Sequence, residues 1–150
     1  MWNTPAYDSI NRRPISFASQ WALLADVAEG GSAAALARDE AGGPKIWLIA
    51  RLLAHRRAHP SCYDRTSGYE PLEVFGPHAD RFVAFTRSGQ LAVIVPRLVT
   101  SKADPWTGTE VALPPGQWVS VLTDEHFSSG KVRAAALLRL FPVQVLARDA

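Results

Sequence analysis

The stretch Phe82-Val83-Ala84-Phe85-Thr86-Arg87-Ser88-Gly89-Gln90-Leu91-Ala92-Val93-Ile94-Val95 decides the fold class. Its two runs, Phe82 to Phe85 and Leu91 to Val95, are β-branched or aromatic, and Ser88-Gly89 between them marks a hairpin turn. Working outward, Tyr69 to Phe75 reads as a strand on the N-terminal side. On the C-terminal side Glu110 to Leu113 and Trp118 to Leu122 read as strands flanking a turn at Pro114-Pro115-Gly116. Val143 to Ala147 is a last strand, reached through a short alanine- and leucine-rich segment. This half of the chain is expected to be an antiparallel β-sandwich.

Upstream the period is that of helices. The first fourteen residues read as a loop, because Pro5 and Pro14 restrict the backbone and Asp8, Ser9 and Asn11 suit turns. From Ile15 to about Glu29, Phe17, Trp21, Leu24 and Ala28 recur at helical spacing, with Ser16 available as a cap and Gly30-Gly31 following. A short helix is expected from Ser32 to about Glu40, closed by Gly42-Gly43. A third starts at Pro44, carries the stripe Ile46, Ile49, Leu52 and Leu53, and stops before Pro60. Helices followed by strands, without alternation, predict an α+β chain with segregated layers. The expected division is a helical segment over 1–60 and an antiparallel β domain over 61–150.

With 150 residues, 47% of them hydrophobic and 20% charged, the chain lies in the globular range and can bury a core. A formal net charge of +2 is too small for a strong nucleic-acid footprint. The single cysteine, Cys62, excludes an intrachain disulfide framework and a cysteine-built zinc site, and is read as a small packed hydrophobe. The N-terminal sequence lacks a signal-peptide pattern and no stretch approaches a spanning helix, so a cytoplasmic location without a membrane partner is expected. No phosphate-cradling glycine loop is present and no cofactor or metal is expected.

Several groups invite a chemical reading. His55 and His59 stand four apart on the third helix, but Arg56-Arg57 between them oppose a metal and no general-base glutamate completes the motif. The basic run Arg51, His55, Arg56, Arg57 and His59 suits a solvated helix end better than a nucleic-acid helix. Asp124, Glu125 and His126 are consecutive, so their side chains should diverge and loop polarity explains them. Trp106, Trp118, Tyr63 and Tyr69 could each offer a face to a sugar ring. Trp118, inside a strand, is read as core, and for Trp106 in its loop both readings stand. In Asn11-Arg12-Arg13-Pro14 two guanidinium groups and an amide could donate to hydroxyls or carboxylates, or could simply form surface ion pairs.

Taken in order, these segments resemble the maltooligosyltrehalose synthase family of the α-amylase superfamily. Tyr7-Asp8-Ser9-Ile10-Asn11-Arg12-Arg13-Pro14-Ile15-Ser16-Phe17 is similar to the family's aspartate-proline-aspartate-asparagine-arginine-arginine-proline segment, with Ser9 and Ile10 in place of proline and aspartate. Lys45 to Leu48, Arg51 to Arg57, Gly68 to Val74, Gly76 to Asp80, Val83 to Phe85, Val95 to Leu98, Trp106, Leu113-Pro114, Gly116 to Trp118 and Phe141 to Val143 continue the likeness.

The resemblance implies that residues 1–60 are the tail of a TIM-type catalytic barrel with its linker helices, and that residues 61–150 are the C-terminal domain. It implies an isomerase that turns the reducing-end α-1,4 linkage of a maltooligosaccharide into an α,α-1,1 trehalose linkage. A whole barrel takes about 250 residues, and its acid and nucleophile come from strand ends not in this chain, so the chain is expected to be inactive alone. Asn11, Arg12, Arg13 and Trp106 are the expected substrate contacts, an α-glucan the expected ligand and a barrel-bearing chain a possible partner. A stand-alone glucan-binding or scaffold module is the alternative, and a nucleic-acid-binding protein built on the third helix a more distant one.

Overall fold

The computed structural model describes residues 17–28, 42–97 and 106–149. The chain divides into two compact units, Met1–Ala50 and Arg51–Ala150. The division falls inside the second described helix, upstream of the expected boundary at residue 60. The expected N-terminal loop and the helix over Ser32 to Glu40 lie outside the described residues.

Helix α1 spans Phe17–Ala28, as its periodicity predicts, with Trp21 and Leu24 exposed. Helix α2 spans Gly43–Ala58. Gly42, at φ +109°, begins it by accepting from the Lys45 and Ile46 N–H groups, and Pro44 occupies the first turn, where no donor is needed. His55, Arg56 and Arg57 stand in the last turn, where cations suit the helix dipole. Pro60 opens a short 3-10 turn, Pro60–Cys62, in which Cys62 is buried and free, as its reading as a packed hydrophobe requires.

The remainder forms a sheet of seven strands: β1 Tyr69–Pro71, β2 Val74–Phe75, β3 Phe82–Arg87, β4 Leu91–Pro96, β5 Glu110–Ser120, β6 His126–Arg133 and β7 Gln144–Arg148. A four-residue helix, α3 Ala134–Leu137, lies between β6 and β7. The order is β1-β3-β4-β7-β5-β2, with β6 on the other side of β5, and every pairing is antiparallel. The expectation of a sandwich is corrected here, because all seven strands belong to one hydrogen-bonded sheet and not to two.

The β3–β4 hairpin stands where Ser88-Gly89 place it. Both residues have positive φ, 49° and 60°, and Gln90 N–H donates to Arg87 O at 3.0 Å, which closes a tight turn whose twist suits the strands. Tyr69 to Phe75 is not one strand. It breaks into β1 and β2, which pair with different partners, β3 and β5.

The Pro114-Pro115-Gly116 turn is likewise corrected, since these residues lie inside β5. Between Leu113 and Gln117 the register with β6 shifts: β5 advances four residues while β6 advances two, from Gly130 to Ser128. Prolines cannot donate to a ladder, and a bulge is where a strand tolerates them. The bulge changes the phase of the strand, so that Val111 and Leu113 before it and Trp118 and Ser120 after it are all buried.

One cluster gathers on that face: Phe82 and Ala84 of β3, Ala92 and Ile94 of β4, Val111, Leu113 and Trp118 of β5, Leu146 of β7, and Ala134, Leu137 and Leu138 around α3. The opposite face of β4 and β7 holds Leu91 and Val145, which pack with Val121, Leu52 and Tyr63. Covered on both faces, β4 reads as a continuous apolar run.

Gly76, at φ +102°, lies against the next loop so closely that a Cβ would sit 2.1 Å from the Gly108 carbonyl oxygen. Gly89 is also left-handed but has open space around it. Gly76→Ala is therefore expected to cost roughly 2 kcal/mol or more through strain and backbone displacement, and Gly89→Ala only about 1 kcal/mol. Urea midpoints of the two variants check this, and equal losses would remove the close-approach argument.

Candidate functional site

The last turns of α2 face the end of β5 across a shallow cleft of about 340 Å³, lined among others by Arg51, His55, His59, Ser120 and Asp124. Arg51 reaches across it. Its Nε–H donates to Val121 O at 2.8 Å and its terminal nitrogen meets the Asp124 carboxylate at 2.7 Å. Asp124 takes a left-handed φ of 58°, which asparagine and aspartate tolerate better than most residues.

One turn later His55 Nδ1 lies 2.8 Å from the Tyr63 hydroxyl, and the His59 ring lies 4.5 Å from the His55 ring. Arg51 and His55 are half-buried and tie the helix to Val121, Asp124 and Tyr63, whereas Arg56 and Arg57 are exposed. The solvated-face reading of the basic run thus holds for the latter pair and not for Arg51. Among the described residues no group of three or more potential ligands is placed to hold a metal ion.

Asp124, Glu125 and His126 diverge as consecutive residues should. Asp124 goes to Arg51, Glu125 meets Arg139 at 2.6 Å and accepts from Thr123 Oγ1 at 3.0 Å, and His126 is exposed at the start of β6. Both carboxylates are committed to ion pairs with arginine. These residues fasten loops.

Beneath the cleft is a polar network that sequence reasoning missed. Gln144, fully buried, accepts from Ser120 Oγ at 2.7 Å and from its neighbour Val145 N at 3.0 Å, and donates to Leu137 O at 3.1 Å. Ser120 Oγ in turn accepts from Leu122 N and Thr123 N. The network joins β5, β7 and α3, and each of these bonds is internal, which marks it as structural.

The aromatic candidates separate cleanly. Trp118 is fully buried and donates its indole N–H to Pro114 O at 3.0 Å. Trp106 is half-buried and meets Phe82 edge-on, with ring centroids 4.9 Å apart, against the main cluster. Tyr63 is engaged by His55. Tyr69 is 61% exposed and stacks on Phe85 at 4.7 Å. Asn11, Arg12 and Arg13 lie outside the described residues.

Two proteins of Mycobacterium tuberculosis, from strains CDC 1551 / Oshkosh and H37Rv and both named as maltooligosyl trehalose synthases, are 31% identical to this chain over 99% of its length. The solved maltooligosyltrehalose synthase of Arthrobacter ramosus, and a single-substitution variant of it, match 95% of the chain at 27% identity with a TM-score of 0.75. This chain is a homologue of part of the maltooligosyl trehalose synthases. It spans about 18% of the length of these relatives and corresponds to their C-terminal region. No protein-family model matches the chain. Among the described residues no helix is long and apolar enough to cross a membrane.

Within this homologue, burial and then the neighbouring His59 lower the His55 pKa from its ordinary value of 6.5. The unfolded chain then takes up this proton more readily than the folded one. The contribution to stability is complete above pH 6.5 and is lost as pH falls through the folded value. The urea midpoint should fall on acidification through this window, and His55→Gln should flatten that dependence. An unchanged slope in the variant would assign the effect elsewhere. Separately, Gln144→Leu leaves buried partners unmatched and should lower stability by roughly 2 kcal/mol or more, read from the same unfolding curves.

Proposed function

We propose that this chain serves as the C-terminal part of a maltooligosyl trehalose synthase of the α-amylase superfamily, working in the cytoplasm, and that it is not catalytic alone. The whole enzyme would convert the reducing-end α-1,4 linkage of a maltooligosaccharide into an α,α-1,1 linkage. The observation that carries this reading is a match running along 99% of this chain while covering only 18% of the relative.

The chemistry of the described residues agrees with a supporting part. Retaining glycosyl transfer needs one carboxylate free to attack and one carboxyl group able to give a proton. Asp124, which lines the cleft, and its neighbour Glu125 are each committed to an arginine. The catalytic pair would belong to a barrel in the remaining length of the synthase. On this reading the sheet braces that barrel, Asn11, Arg12 and Arg13 approach its substrate, and Trp106 serves packing first, since it meets Phe82 edge-on.

A chimera tests this directly. Replacing the corresponding segment of the Arthrobacter ramosus synthase with this chain should leave an enzyme that turns reducing maltooligosaccharide into a non-reducing product, whereas the 150-residue chain alone should give none. Turnover by the isolated chain, or a folded chimera without activity, would overturn the proposal.

A further inference from the structure

We infer that the exposed ring of Tyr69 is the floor of a surface site for one pyranose unit of an α-1,4-glucan, with Arg87 beside it as a donor to hydroxyls. Of the four aromatics that could offer a face to a sugar ring, with Trp118 already read as core, the structure leaves Tyr69 with an open face. Trp118 is fully buried, Trp106 is held edge-on against Phe82, and Tyr63 is hydrogen-bonded to His55. Tyr69 is 61% exposed.

Its orientation is fixed from below. Tyr69 and Phe85 stack with centroids 4.7 Å apart and planes inclined by 30°. The pair is diagonal across the β1–β3 ladder, where Tyr69 is opposite Arg87 and Pro71 is opposite Phe85. One ring face is thereby occupied by Phe85 and the other is left to solvent. A tyrosine held flat loses little freedom when a second flat body packs on it, and the C–H face of a pyranose is such a body.

The neighbour across the ladder supplies the polar half. Arg87 is anchored by donating from a terminal nitrogen to Asp64 O at 2.9 Å. Asp64 is itself fixed, because its carboxylate accepts from Thr66 and Ser67 through both backbone and side chain. A guanidinium carries five N–H donors in a rigid plane, so one anchor leaves further donors for vicinal hydroxyls. An aromatic floor beside a fixed donor suits a sugar better than an apolar peptide, which would leave the guanidinium unmatched. That the sugar is an α-glucan rests on the proposed function; the platform itself does not.

The test is a titration of the 150-residue chain with maltoheptaose, monitored by NMR of its aromatic and arginine resonances. Tyr69, Phe85 and Arg87 should shift together, and Tyr69→Ala should weaken binding about three- to tenfold, the equivalent of losing one stacking contact. Tyr69→Phe should retain most of the affinity, because the ring remains. Cellohexaose, with β linkages, should bind more weakly. Absence of shifts at these residues, affinity unchanged in Tyr69→Ala, or equal binding of cellohexaose would each overturn the inference. An active chimera together with no maltoheptaose-induced shifts in the 150-residue chain would sink this site alone, and shifts in that chain with a folded but inactive chimera would sink the synthase reading alone.

Discussion

Trp118 donates its indole N–H to the carbonyl oxygen of Pro114 at 3.0 Å, across a bulge of three residues that cannot all join a ladder. That bond holds the kink in β5 on which the sheet turns. Before the bulge β5 lies between β6 and β2; after it β5 lies between β6 and β7. A regular strand of eleven residues would present only one alternate set of side chains to the core. The phase change lets Val111 and Leu113, and then Trp118 and Ser120, all point inward. Leu146, Ile94 and the α3 residues pack against the surface so formed.

The two ends of this arrangement are secured by polar bonds. Inside, Gln144 and Ser120 satisfy the chain where β5 ends and β7 begins, a place where a turn meets a buried strand and an unmatched N–H would be costly. Outside, Arg51 and the His55–Tyr63 pair hold the end of α2. Asp124 and Glu125 are used in the same way, each paired with an arginine. These ties commit the charged groups around the cleft to holding α2 and the loop after β5 in place.

Much of the fold was legible. The hairpin around Ser88-Gly89 is local: two residues able to adopt positive φ between two β-forming runs allow little else. The same is true of α2, bracketed by Gly42 and Pro60, and of Trp118 and Cys62 as core. Strand β6 was not legible, because His126 to Arg133 carries serine, glycine and charge and only its hydrogen bonds to β5 make it a strand. The surface site was half legible, since an aromatic in a strand says nothing about which of its faces a neighbour will cover.

The amino-acid sequence by itself determined that helices precede strands and where the tightest turn lies, since these depend on propensities and spacings within a few residues; the family likeness came separately, from the identity of the motifs and their order. The tertiary structure alone decided that there is one sheet and not two, that a diproline lies within a strand, that Arg51 is a tie and that Tyr69 keeps an open face. Each of those depends on which strand lies beside which, and pairing across tens of residues is selected by the burial and hydrogen bonding of the whole domain.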